Sequence, residues 1–153
     1  MIGFQRTTSD NYDFSILIAN LDAELLDRYP ETQSKYAPHN KIENNNTVVV
    51  AYSGVNPVGC GCFKKYSEDT VEIKRMYVLP GYRGKQIALH ILQELESWAK
   101  EHGFTRAILE TGIRQPEAIG LYKKAGYSTI ENYGPYVEMP LSICMQKLLF
   151  HNA

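Results

Sequence analysis

The feature that most constrains this chain is a change of hydrophobic period near residue 80. Upstream, three short segments rich in β-branched and apolar residues follow one another: TVVVAYS (47–53), Val58–Tyr66 and Thr70–Leu79. Gly54 and Asn56-Pro57 separate the first pair, Ser67-Glu68-Asp69 the second, and Pro80-Gly81 stops the third. Runs of this kind between turn residues predict an antiparallel meander. Downstream, Ile87, Ala88, Ile91, Leu92, Leu95, Trp98 and Ala99 recur at intervals of three and four. That spacing predicts an amphipathic helix, closed by Gly103.

The flanks extend the pattern. Phe14, Leu17, Ile18, Leu21 and Leu25 fall at helical spacing within Ser9–Arg28, and Tyr29-Pro30 ends the segment, because a residue before proline avoids the helical region. Residues 31–46 are polar and predict a surface loop with at most a short helix. Arg106–Thr111 predicts a short strand, and Pro116 opens a helix that runs to Ala125 before Gly126. Tyr127–Ile130 and Ser142–Leu149 supply the last strands. A strand–helix–strand crossover behind a meander predicts an α/β (α+β) fold. Its sheet is mixed and mostly antiparallel, with helices on both faces. With 153 residues and neither repeat nor linker, residues 1–153 are expected to form one domain.

Composition narrows the partners. A net charge of −1 gives nothing global that draws the chain to nucleic acid or to an anionic membrane, so an anionic ligand needs a local site. The first residues lack a secretory leader pattern, and no apolar run reaches membrane-spanning length. Cys60, Cys62 and Cys144 form neither a usual zinc spacing nor a disulfide framework. Structural thiols, no metal and a cytoplasmic location are therefore expected, which leaves the Asn45-Asn46-Thr47 sequon idle. His39, His90, His102 and His151 are scattered and predict surface or packing roles.

The segment Val71–Leu92, VEIKRMYVLPGYRGKQIALHIL, joins a strand to a long helix through Arg83-Gly84-Lys85. A helix start behind a small-residue loop presents unpaired N–H groups and a positive dipole end, and so can hold phosphates. The plain alternative is a solvated helix start. Here the chain resembles the GNAT family of N-acetyltransferases. Its coenzyme-A loop, Arg/Gln-x-x-Gly-x-Gly/Ala, is matched by Arg83, Gly84, Lys85, Gln86, Ile87 and Ala88. A second segment, Leu121-Tyr122-Lys123-Lys124-Ala125-Gly126-Tyr127, is similar to the family's Leu-Tyr-x-x-x-Gly-Phe/Tyr, and the element order matches over nearly the whole chain. Gln86 departs from the family glycine, at no cost if its backbone is right-handed helical and with weaker coenzyme binding if not.

The resemblance implies an acetyl-CoA-dependent transfer of an acetyl group to a primary amine of a small molecule or amino acid. The alternatives are a protein N-terminal or lysine acceptor, and a non-catalytic acyl-CoA sensor. It also implies that backbone groups of Met76, Tyr77 and Val78 hold the pantetheine arm, that Gln115 contacts it rather than being an ordinary loop amide or helix cap, and that Tyr122 is the general acid rather than a packing residue. Glu72, on the parity of Lys74 and Met76, and Glu110 are both candidates for the base, because an alkylammonium is about one part in a thousand neutral at pH 7. Residues 10–46 and the Tyr133–Tyr136 loop are expected to wall the acceptor site, with Arg75 and Arg114 as candidate carboxylate clamps. Monomer and homodimer both remain open.

Overall fold

A computed structural model describes residues 1–40 and 44–149. His151 and positions 41–43 of the polar segment lie outside the described residues. Seven strands form one sheet: β1 (Ile2–Thr7), β2 (Val48–Ser53), β3 (Asn56–Lys65), β4 (Thr70–Val78), β5 (Arg106–Gly112), β6 (Ser128–Ile130) and β7 (Ser142–Leu148). The spatial order is β1-β2-β3-β4-β5-β7-β6, and only β4 and β5 run parallel. The α-helices among the described residues are α1 (Tyr12–Arg28), α2 (Gln33–Asn40), α3 (Ile87–Glu101) and α4 (Pro116–Lys124). None of the described helices is long and apolar enough to cross a membrane.

The two faces of the sheet bury different helices. Ile87, Ile91, Leu92 and Leu95 of α3 and Tyr122 of α4 pack on Val49, Ala51, Val71, Ile73 and Leu109. On the other face Phe14, Leu17 and Leu21 of α1 cover Val48, Val50, Cys60, Cys62 and Tyr77. Beyond them Tyr36 of α2 meets Tyr136, Met139 and Cys144. The mixed sheet with helices on both faces thus agrees with the period change in the sequence.

β1 is the element the sequence does not announce. Only Ile2 and Thr7 at its ends are even partly covered, so it shows no apolar alternation. Its order comes from pairing with the open edge of β2 and from Arg6, which bonds Glu94 and Glu101 of α3 at 2.7 Å each. The sequon asparagine has a structural role in bracing the sheet. Asn45 is buried, donates to the Phe63 carbonyl (3.0 Å) and accepts from Thr47 N–H (2.7 Å). His90 packs edge-on against Phe4, and His102 accepts from the Trp98 indole (3.2 Å).

Two irregularities shape the centre. β4 pairs with β5 only over Thr70–Ile73 and Arg106–Leu109; beyond that the strands part, β4 staying with β3 and β5 with β7. β4 also carries a bulge: Cys60 faces Tyr77 and Cys62 faces Lys74, so Gly61 opposes both Arg75 and Met76. Arg75 takes φ 59°, a left-handed conformation. Gly61 permits this approach, since a Cβ there would lie 2.5 Å from Met76 Sδ. The thiols of Cys60 and Cys62 reach the Arg75 and Lys74 carbonyls at 3.5 and 3.4 Å.

Candidate active site

Where β4 and β5 part they open a pocket of about 110 Å³, floored by Ile73–Met76 and Glu110–Gly112 and reached by α1, α2 and α4. The bulge corrects one sequence expectation. Glu72 and Lys74 share a face, but Met76 has crossed to the α3 side, where it packs on the larger core, while Tyr77 turns to α1. An extra residue in one strand inverts the alternation after it.

One side of the site is the end of β4, where Met76 lines the pocket, followed by the loop into α3, whose residues are not part of that lining. The edge of Met76–Val78 that faces β5 has no strand partner among the described residues. Gly84 (φ 79°) and Gln86 (φ 65°) curl the loop before α3. No side chain among the described residues caps this helix, whereas Asn11 Oδ1 caps α1 by accepting from Phe14 N–H at 3.0 Å. Open N–H groups at Gly84–Ala88 beside a positive dipole end suit the diphosphate of a nucleotide coenzyme. The Arg83 side chain turns inward instead, with Nε donating to the Val78 carbonyl and one terminal nitrogen to Glu24, both at 2.8 Å. Lys85 remains exposed beside the Tyr82 ring.

Gln86 is left-handed, so the right-handed alternative considered from the sequence does not hold. A side chain in that region costs roughly 1 kcal/mol. Gln86→Gly is therefore expected to raise Tm by about 2 °C, the freer unfolded chain offsetting part of the relief. Scanning calorimetry checks this, and a lowered Tm would mean that the side chain contributes more than its backbone costs.

The opposite wall carries the titratable groups. Tyr122 is buried, its ring edge-on to Tyr127 (5.9 Å), and its hydroxyl makes no hydrogen bond among the described residues. Burial first, and the Glu110 charge second, push its pKa above the usual phenol value. Glu110 is pushed up to about 7 by burial, against the hydrogen bond from Ser142 Oγ (2.8 Å) and the Lys74 charge. Glu72 is also buried, but it accepts from the Tyr133 hydroxyl (2.7 Å), with Lys64 and Lys74 each 3.8 Å away. Burial lowers the pKa of Lys74.

Other expected residues fall into place unevenly. Gln115 lines the pocket, yet it neither caps α4 nor faces away: its Oε1 accepts from Gly112 N–H at 3.3 Å. Tyr136 lines the pocket, and Tyr133 braces Glu72 from behind. Arg75 is a wall residue paired with Asp22 (2.6 Å), and its buried Nε lacks a partner among the described residues. Arg114 pairs with Glu31 (2.5 Å) and the Arg28 carbonyl and is not part of the pocket wall. Tyr29, Tyr36 and Ser142 were not singled out from the sequence. Tyr29 Oη accepts from Arg114 N–H at 3.0 Å and sits so close to Gly112 that a Cβ there would lie 1.8 Å from it. The available signal for Tyr36 was its place as the one aromatic residue in a polar run.

Residues 16–127 match the family model described as the acetyltransferase (GNAT) family. The chain belongs to the GNAT family. An Azospirillum brasilense relative named IAA acetyltransferase is 36% identical over 135 residues, 87% of this chain and 88% of that protein. A Klebsiella pneumoniae structure assigned to the acyl-CoA N-acyltransferases superposes with a TM-score of 0.80 at 34% identity, covering 98% of this chain and 99% of the other. The PaiA N-acetyltransferase of Thermoplasma acidophilum, solved with coenzyme A, has the same fold, with a TM-score of 0.72 at 18% identity over 97% and 99% of the chains. The protein is thus an acetyl-CoA-dependent N-acetyltransferase of the GNAT type. Among the described residues, no group of three or more His, Cys, Asp or Glu side chains is arranged to hold a metal.

Proposed function

We propose that this GNAT enzyme acetylates the primary amine of a small molecule or amino acid by direct attack, with Glu110 as base and Tyr122 as acid. The observation that carries the reading is the facing of these two groups in one pocket. One is a buried hydroxyl without a hydrogen bond among the described residues, the other a carboxyl whose pKa lies near neutrality. Acetyl-CoA, when bound, supplies the acetyl thioester. Gly84–Ala88 N–H groups and Lys85 would hold its diphosphate, and the free edge of Met76–Val78 its pantetheine arm. Glu110 takes a proton from the acceptor ammonium, so that the neutral amine attacks the thioester carbon. As the C–S bond breaks, Tyr122 gives its proton to the departing thiolate, and the second proton that the attacking nitrogen sheds on becoming the amide restores the Tyr122 hydroxyl.

Glu110 is preferred over Glu72 because Glu72 Oε2 already accepts from Tyr133 and its Oε1 lies 3.8 Å from both Lys64 and Lys74, whereas Glu110 keeps one oxygen without a hydrogen bond among the described residues. An acetyl-enzyme on cysteine is disfavoured: burial pushes Cys62 up to about 12 and Cys144 to about 11, so neither is a thiolate at neutral pH. Three buried free cysteines also support a reducing, cytoplasmic setting. The acceptor pocket is small and walled by Leu21, Leu25, Tyr29 and Tyr36, which favours a small acceptor over a protein segment. The residues are read as one acetyltransferase domain, with a homodimer as the alternative to a monomer.

The test is thiol release from acetyl-CoA across primary amines, amino acids, IAA, and peptides with free N-termini or lysines. Turnover is expected with one or more small amines and not with the peptides. Acetyl-CoA that raises Tm while no acceptor releases thiol would instead favour the sensor.

A further inference from the structure

Glu110 is anchored from one side only. Ser142 Oγ donates to its Oε2 at 2.8 Å, while Oε1 accepts no hydrogen bond among the described residues, and the side chain lines the pocket. The register explains the contact. Glu110 pairs with Cys144 across the antiparallel β5–β7 ladder and Gly112 pairs with Ser142, so Glu110 and Ser142 are diagonal neighbours on one face. The Ser142 hydroxyl in turn lies 3.1 Å from that of Tyr36 on α2. A serine hydroxyl has a single proton; when it goes to the carboxylate, Tyr36 becomes the donor that fills a Ser142 lone pair. Two buried hydroxyls therefore join the β5 carboxyl to a helix outside the sheet.

We propose that Ser142 and Tyr36 are a positioning pair for the base: they hold Oε2 so that Oε1 faces the acceptor, and they couple the base to the seating of α2. The inference rests on the reading of Glu110 as base. The groups facing Glu110 from the neighbouring elements are Glu72 and Lys74 of β4, Tyr122 of α4, Tyr29 after α1, Tyr136 before β7 and Cys144 of β7. Of these only Lys74 favours the carboxylate. Glu72 disfavours it, and the others are neutral hydroxyls or a thiol that burial keeps protonated. A charge-assisted hydrogen bond is therefore a large part of what keeps Glu110 ionisable near neutral pH.

The experiment follows Glu110 twice, by NMR titration of its carboxyl carbon in the acceptor-free protein and by the pH profile of kcat/KM. Ser142→Ala is expected to raise the Glu110 pKa, and with it the acid limb of the profile, by about one pH unit, because loss of the donor destabilises the carboxylate. Rates then fall about tenfold below pH 7 and converge with the parent at high pH, with KM for acetyl-CoA unchanged. Tyr36→Phe is expected to shift both readouts the same way by less, and Ser142→Thr, which keeps the hydroxyl, to restore them. A Ser142→Ala titration and profile that superimpose on the parent would overturn the positioning role. If Ser142→Ala melts early, Tyr36→Phe and Ser142→Thr decide, and a Tyr36→Phe profile matching the parent would overturn the coupling to α2. Failure of the base reading looks different: Glu110→Gln would then keep the parent's rate and profile whatever Ser142 does.

Discussion

Glu110→Gln is expected to lose at least about 100-fold in kcat and yet to unfold less readily than the parent above pH 7. The kinetic loss follows from removing the proton acceptor while keeping the shape of the side chain, and general-base contributions usually amount to 10²–10⁴-fold. The acid limb of the rate profile, set near pH 7 by Glu110, should disappear with it. The stability gain follows from linkage. Burial raises the folded-state pKa from 4.5 to about 7, so between these values the folded protein holds a proton that the unfolded chain releases. Stability therefore declines as pH rises through that window and stays lower above it. A rise of this size corresponds to about 3 kcal/mol at most, before relaxation and water entry reduce it. The carboxamide does not ionise, so its Tm should part from the parent's between pH 5 and 8, with the variant higher. Melting curves at several pH values, taken beside kcat, check both halves. Unchanged turnover would move the base to Glu72 or to water.

The second large effect is at Tyr122. Tyr122→Phe keeps the ring against Tyr127 and removes only a hydroxyl that makes no hydrogen bond among the described residues. Tm and the Kd for CoA are therefore expected to stay near the parent values, and kcat to fall by about 10²-fold. Because the phenol pKa is raised, the acid remains protonated through the working range, and the variant should keep the acid limb that Glu110 sets. A normal kcat would assign the thiolate's proton to solvent. A lowered Tm would show that the hydroxyl supports the fold and would leave the kinetic loss uninterpreted.

Much of the fold was legible because the sheet and its two main helices bury continuous apolar stripes, and burial writes a period into the sequence. β1 was missed because it is held by the edge of β2 and by Arg6, not by an apolar face of its own. The loop before α3 was legible as a motif, but the left-handed state of Gln86 was not, because glutamine does not announce it. Both carboxylates could be named, yet strand parity alone could not choose between them. What separates them is each one's partners: Tyr133 and two lysines for Glu72, Ser142 for Glu110, with Tyr133 and Ser142 brought in from distant segments. Ser142 and Tyr36 look like a strand-opening serine and a loop tyrosine until β7 and α2 are placed beside β5.

The bulge in β4 makes chain length a specification in its own right. Between Lys74 and Tyr77 the strand carries one residue more than its partner, and the bend this puts into β4 falls just past Ile73, where its pairing with β5 ends. Removing Arg75 would restore an even ladder, with Met76 opposite Gly61 and Tyr77 opposite Cys60 on their present faces, but it would take out the bend and narrow the gap beside β5. Systematic variation of this strand should therefore tolerate many exchanges of side chain and hardly any change in the count of residues. A diverging copy of the gene could alter its acceptor by substitution here, but not by insertion or deletion.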